Sequence, residues 1–253
     1  GLTKLVEDAS VSTPWTPVAG SHLNLTTDTT VDLQGRPTQS LGPSHTIDVS
    51  GTATAIRRAT WMVYKDDVFE TWVGQGYQKT SDSSFTLVNP VRITRQDAAG
   101  RITDEIGATR ASTAGKLQAT DSLPQSGWIS WAKNVYAGAP GLASTRTYFL
   151  IPSSGEGTAG TNYSQQVLGY DNMRRTIRTV APDGTITRYV FNTPGWVTEQ
   201  WLGTDDTGAT ATNPAGAGGA NNMSKVEVYE YDSNVSGGNG NRTKVTQWED
   251  ASN

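Results

Sequence analysis

Asp32-Leu33-Gln34-Gly35-Arg36-Pro37-Thr38 and Asp97-Ala98-Ala99-Gly100-Arg101-Ile102-Thr103 both spell D-x-x-G-R-x-T. A carboxylate that can hydrogen-bond the next backbone amides, followed by a glycine free to take positive φ, encodes a tight reversal. The same reversal returns with an aromatic in front of it as Tyr170-Asp171, as Phe191-Asn192-Thr193-Pro194-Gly195 and as Tyr231-Asp232. Between the first two, Asp183-Gly184 makes a further turn, and Thr185-Ile186-Thr187-Arg188-Tyr189-Val190-Phe191 alternates polar and apolar residues. Alternation with period two is the pattern of a half-buried strand. A chain punctuated in this way must stack short strand-turn-strand modules, and such repeats decide the fold before any other feature does.

The acidic or Asn positions 32, 97, 171, 192 and 232 are separated by 65, 74, 21 and 40 residues. With 21 as the period, the gaps predict about three, three and a half, one and two units, the extra ones carrying degenerate turns or insertions. Arg174 stands where Gly is expected and Trp196 where Arg is expected, and the turn after Asp232 is expanded to Asn241.

These residues resemble the YD repeats of the RHS family, bacterial cell-surface and secreted proteins with relatives among animal teneurins. The match is tightest over 169–203, good at 95–106 and 229–246, and weak over the first 30 residues and 107–160. The resemblance implies an all-β fold of stacked antiparallel strands and hairpins in a solenoid-like β-spiral, running as one array over 1–253. The most regular repeats are 169–203 and 229–250, and a Gly/Ala/Asn-rich insertion, loop or flexible tip, fills 203–222. It implies a structural role in which Asp32, Gly35, Arg36, Asp97, Gly100, Arg101, Tyr170, Asp171, Asp183, Gly184, Tyr189, Phe191, Asn192, Gly195, Tyr231 and Asp232 build repeat turns. Family autoproteolysis is not carried over, because the chain has no Asp-Pro dipeptide.

The two ends share Glu-Asp-Ala-Ser, at 7–10 and 249–252. A window cut from a longer array, one unit of a tandem super-repeat, and a subunit whose first strand completes a neighbour's last motif all fit this, as does plain common ancestry of the post-turn strands. In the third case Leu5 and Val6 at one end and Val245 and Trp248 at the other would be assembly strands. An unpaired sheet edge templates the next chain, and head-to-tail contacts that do not close give filaments. The expected function is therefore a non-enzymatic structural segment of an extracellular or cell-surface protein, self-assembling into a fibre. The alternatives are a shell segment of a toxin-encapsulating cocoon and a glycan-binding adhesin module.

Composition narrows the classes further. Twenty-seven Gly, eleven Pro and only 17% charged residues favour strands and turns. There is no cysteine, so stability must come from sheet hydrogen bonding and from packing of eight Trp and nine Tyr. A net charge of −4 with no basic run disfavours nucleic acid, which needs clustered cations. No apolar run approaches the roughly 18 residues of a membrane helix.

Catalytic signals are poor: His22 and His45 are the only near-neutral bases, and no G-x-S-x-G elbow exists. Asp66-Asp67 and Asp205-Asp206 are candidate calcium carboxylates without EF-hand spacing, better read as solvated turn residues. No cofactor or metal is expected. Ala59–Tyr64 and Val68–Val73, joined by Lys65-Asp66-Asp67, predict a hairpin. Trp128 with Trp131 and Trp196 with Trp201 are candidate sugar platforms, but the first pair, an odd number apart, is expected on opposite faces of one strand, and aromatic rungs buried between successive turns are the favoured reading.

Overall fold

The computed structural model of the chain describes residues 2–7, 25–138, 141–232 and 240–248, with side chains from residue 25 onward. The fold is all-β. Its helical content among these residues is three 3-10 turns of three residues each, and no helix is long and apolar enough to cross a membrane. The chain divides into two compact units, Gly1–Lys133 with Tyr148–Thr158, and Asn134–Thr147 with Ala159–Asn253.

The first unit holds β1 (Leu2–Glu7), β2 (Leu25–Val31), β3 (Pro37–Val49), β4 (Thr52–Lys65), β5 (Glu70–Lys79), β6 (Phe85–Gln96), β7 (Ile102–Ala108) and the first half of β8 (Trp128–Ala137). Each strand pairs antiparallel with its chain neighbour, so the hydrogen-bonded order is the chain order. The predicted hairpin is β4 and β5, paired from Ile56 with Lys79 to Lys65 with Glu70, with a 3-10 turn at Asp66–Val68.

These strands are long because one face buries. Ala59, Trp61 and Val63 alternate as buried positions in β4, and Asp104, Ile106 and Ala108 do so in β7. The register aligns Val63, Trp72, Ile93, Ile106 and Trp131 as one buried row across β4 to β8. Directly opposed apolar pairs are the unit of sheet stabilisation. Tyr148 closes the row by stacking on Trp131, with centroids 3.8 Å apart.

Two local expectations change, and one strand carries an interior proline. The 13-residue β3 runs through Gly42-Pro43. Proline has no ladder donor, and it is accommodated here by a bulge between Leu41 and Ser44. Arg57 fills the gap, donating to the carbonyls of Leu41 and Gly42 and pairing with Asp28 at 2.8 Å. Trp128 and Trp131 meet edge to face at 5.0 Å, because a register shift opposite Gly107 and Ala108 inserts a residue and overturns the parity argument. The spacings also change: the 65 residues from Asp32 to Asp97 are two strand pairs rather than three units, and 97 to 171 are likewise two, β7 with β8 and β9 with β10. Turn chemistry fixes where a strand ends, and burial fixes how long it runs.

The second unit holds the end of β8, β9 (Gly141–Tyr148, its last residue excepted), β10 (Tyr163–Tyr170), β11 (Thr176–Val180), β12 (Ile186–Phe191), β13 (Val197–Gly203), β14 (Ser224–Tyr231) and β15 (Arg242–Gln247). From β10 to β15 every neighbouring pair is antiparallel. Between Asn192 and Asp232 lies one strand pair and the insertion, not two units. Few residues are buried here, among them Ser144, Tyr163, Ile186, Arg188 and Met223.

The insertion is folded onto itself rather than a free tip. Asp206 meets Arg178 and Arg188 at 2.6 Å each, Pro214 is fully buried, and Asn222 caps the amides of Thr204 and Asp205.

Candidate functional site: the turn edge

Five turns share one backbone pattern. In 32–36, 97–101, 171–175, 181–185 and 192–196 the first amide donates to the fifth carbonyl, and the fourth amide donates to the first carbonyl. The fourth residue is left-handed: Gly35 at φ +81°, Gly100 at +76°, Arg174 at +63°, Gly184 at +87° and Gly195 at +98°. This is the type I turn with a left-handed glycine bulge that closes three-residue hairpins. Asp232 closes the expanded version, its amide donating to Asn241 with Gly240 at φ +76°.

The aspartate holds the turn from inside. Asp32 Oδ1 accepts from the amides of Gln34 and Arg36, and Oδ2 accepts from Arg36 Nε at 2.8 Å. Asp97 with Ala99 and Arg101, and Asp171 with Met173 and Arg175, repeat these bonds. Asn192 Oδ1 accepts from the amides of Gly195 and Trp196. At 181–185 the first residue is Ala181, and Asp183 instead accepts from the amide of Thr185.

Threonine in the motif marks a second bulge. In register, Val31 faces Pro37 but Thr30 faces Gln39, so Thr38 is left over, and its hydroxyl donates to the Thr30 carbonyl at 3.2 Å. Thr198 and Thr243 are skipped in the same way and donate to Val190 and Glu230, each at 3.2 Å. Thr103 and Ile177 occupy the skipped position after Asp97 and Asp171.

Because antiparallel strands follow chain order, alternate turns share an edge. The turns at 32, 66 and 97 lie along one edge of the first unit, and those at 171, 192 and 232 along one edge of the second; the turn at 181–185 falls on the opposite edge. Successive turns on an edge are clamped. Tyr64, just before the 66 turn, donates its hydroxyl to the carbonyl of Pro37, the residue after the 32–36 turn, and Arg36 lies 4.1 Å over its ring. Tyr231 donates to the carbonyl of Val197, the equivalent residue after 192–196, while Trp196 packs on its ring at 5.1 Å. Arg175 lies 4.5 Å over Phe191 and donates to the Asn192 carbonyl. Tyr170 donates to Leu142 of β9. Tyr64, Tyr170, Phe191 and Tyr231 therefore each tie one hairpin to the previous one, a role the sequence did not show for Tyr64. Tyr189 lies within β12, opposite Gln200.

Electrostatics follow the geometry. At Asp32 and Asp171 partial burial pulls the carboxyl upward, yet the hydrogen bonds from Arg36 and Arg175 outweigh it and leave both below the ordinary carboxylate value. Hydrogen bonds from Arg101 lower Asp97, and those from Thr185 lower Asp183. A group depressed in the folded state contributes stability that is complete above its unfolded pKa and is lost as pH falls through the folded value. Urea midpoints should therefore stay level from pH 7 to 5 and drop below about pH 4. Replacing Asp32, Asp97 and Asp171 together with Asn should flatten that drop, since Asn192 already caps its turn with an uncharged amide. An equal acid drop in the triple variant would remove these carboxylates from the account.

Arg174 is the exposed exception at the left-handed position. A side chain there costs roughly 1 kcal/mol, so Arg174→Gly should stabilise the chain by about that amount in chemical denaturation, and a loss of stability would contradict the turn geometry.

Asp66 is held below its ordinary pKa by hydrogen bonds from Arg36, and Asp206 by Arg178 and Arg188, so guanidinium groups stand where a cation was considered. No group of three or more metal-type ligands occurs among the described residues. His45 Nδ1 is 3.2 Å from the Pro43 carbonyl, and His22 lies outside the described residues. Trp201 Nε1 donates to Glu199, with Lys225 5.1 Å over its ring. Leu5 and Val6 sit in β1 opposite Thr27 and Thr26, and Val245 and Trp248 are 41% and 59% exposed at β15. The shared tetrapeptides at 7–10 and 249–252 lie outside the described residues, apart from the backbone of Glu7.

No family model and no curated protein matches the chain. Among solved structures it is similar to the crystal structure of TcdB2-TccC3 without hypervariable C-terminal region, at 10% identity and a TM-score of 0.29. That match covers 89% of this chain and 13% of the other.

Proposed function

We propose that this chain is a non-catalytic structural segment of YD-repeat type, an extracellular or cell-surface strand array whose work is mechanical. The observation that carries the reading is the clamp between successive turns, in which an aromatic side chain, at Tyr64 and Tyr231 through both its hydroxyl and its ring, ties a hairpin to the one before it. It occurs in both units, and one such contact contributes about 1–2 kcal/mol from its hydrogen bond and ring interaction. Such nearest-neighbour coupling is what an extended array requires.

The same reading includes association through the outer strands. Within the described residues β1 pairs only with β2, and β15 only with β14, while Val245 and Trp248 offer apolar surface at β15. Backbone groups left unpaired on a strand recruit another strand. Sedimentation velocity and negative-stain microscopy of the purified chain should show concentration-dependent, head-to-tail oligomers, and Val245→Lys should suppress them. A monodisperse monomer at all concentrations would remove self-assembly and leave the segment as part of a larger array.

A further inference from the structure

The buried apolar row of the first unit is bordered by a row of charge. Lys65 faces Glu70, Glu70 faces Arg95, Arg95 faces Asp104 and Asp104 faces Lys133 across β4 to β8. Glu70 accepts from Arg95 Nε at 2.7 Å and from Trp72 Nε1 at 2.9 Å. Asp104 differs. It is 5% exposed and its Oδ1 accepts from Trp131 Nε1 at 2.8 Å, but Lys133 Nζ stands 3.6 Å from that oxygen, beyond hydrogen-bond reach. The Lys133 ammonium instead lies 3.0 Å from Glu156.

The groups are held in place from several sides. Between β7 and β8 the chain makes a long excursion, paired beside β6 where the amide of Leu87 donates to Thr113 and that of Gly115 to Phe85. Arg110, 8% exposed, anchors it by donating to the carbonyls of Ser112, Ala114, Gly115 and Lys116 and to Asp121. Near the end of the excursion Gln125 Nε2 donates to the carbonyls of Pro152 and Gly155, which fixes the loop carrying Glu156. Trp131 is itself buried and stacked on Tyr148.

An amine beside a buried carboxyl, a donor on one carboxyl oxygen and a second carboxylate on the amine are the components of amide formation. We propose that Lys133 Nζ and Asp104 Cγ join in an intramolecular isopeptide bond, a covalent staple between β7 and β8. Glu156 takes one proton from the Lys133 ammonium, and the freed amine attacks Cγ. Trp131 Nε1 holds Oδ1 while negative charge collects there, and Oδ1 remains as the amide oxygen. As the Cγ–Oδ2 bond breaks, Oδ2 receives that proton and a second one from the nitrogen and leaves as water. Nothing is oxidised or reduced, and no co-reactant is consumed. Condensation is unfavourable between separate solutes in water, but groups held in contact react at an effective concentration of about 10⁵ M or more. The bond closes residues 104 to 133 into one covalent loop around the anchored excursion, in a chain without cysteine. It stands on these four side chains and not on strand assembly.

The test is the intact mass of the denatured 253-residue chain after prolonged incubation of the folded protein, followed by tryptic mapping. The chain should be lighter than its sequence by one water, and residues 102–110 should be recovered joined to residues 117–146, with no cleavage after Lys133. Lys133→Arg, which keeps the cation but offers no amine, should show its full mass. Glu156→Gln, at a half-exposed position that leaves the fold intact, should form the bond at least about tenfold more slowly. Full sequence mass in the unaltered chain, a water loss that maps elsewhere or survives in Lys133→Arg, or an unchanged rate in Glu156→Gln would overturn the inference.

Discussion

Arg110→Met is expected to destabilise the first unit by about 3–5 kcal/mol, read as a lower urea midpoint at unchanged slope. The guanidinium gathers four carbonyls and the Asp121 carboxylate at 2.5–3.0 Å. Removing it leaves a half-buried carboxylate unpaired and strands carbonyls that water reaches poorly. Asn89 locks the backbone at the same residue in both directions, so the loop cannot swing away to rehydrate without breaking those bonds as well. Arg110→Lys should recover little of the loss, because a point ammonium cannot span five acceptors arranged around a planar fork. Asp121→Asn should cost less, about 1–3 kcal/mol, since the carbonyl bonds persist. Near-native stability of Arg110→Met would mean that the excursion is held by its contacts with β6 alone.

The second large effect is at Trp61. Its ring is 2% exposed, meets Phe85 edge-on at 5.9 Å, and lies across Gly76. Trp61→Ala should cost about 3–5 kcal/mol, the range for deleting a large buried aromatic. Gly76 explains why the indole fits: a Cβ there would sit 2.8 Å from the ring and 2.1 Å from the Thr86 carbonyl. Removing the indole relieves the first contact but not the second. The double variant Trp61→Ala with Gly76→Ala should therefore be less stable than Trp61→Ala alone by denaturant titration. Recovery of stability in the double variant would show that Gly76 is required by the indole only.

Much of the turn edge was legible in the sequence because its chemistry is local. Asp32 bonds amides within four residues, and Gly35 needs only its own φ, so D-x-x-G-R writes the whole reversal in five letters. The threonine of the motif was visible as a letter but not as a bulge, since its partner Thr30 lies across the strand pair. Strand length was not legible: the same turn closes the 13-residue β3 and the five-residue β11, and only cross-strand burial sets the difference. Parity failed at Trp128 because a bulge adds one residue and flips the face. Arg110 carried no local signal at all; its five acceptors come together only when the excursion folds back on it. Tyr64 was read as one apolar position of a hairpin, and its hydroxyl finds Pro37 from 27 residues away.

The turns impose a bulged register on strands stacked in chain order, and the absence of native cysteine allows that register to be measured directly. With the bulge, Thr29 faces Ser40 and Tyr189 faces Gln200; without it, Thr29 would face Gln39 and Tyr189 would face Glu199. Paired cysteines close only when their Cα atoms lie within about 7 Å and their Cβ vectors converge. Under mild oxidation, followed by mass spectrometry, the Thr29→Cys/Ser40→Cys and Tyr189→Cys/Gln200→Cys chains should form the intramolecular disulfide rapidly. Faster closure of Thr29→Cys/Gln39→Cys and Tyr189→Cys/Glu199→Cys would contradict the bulged turns and the stacked array built on them.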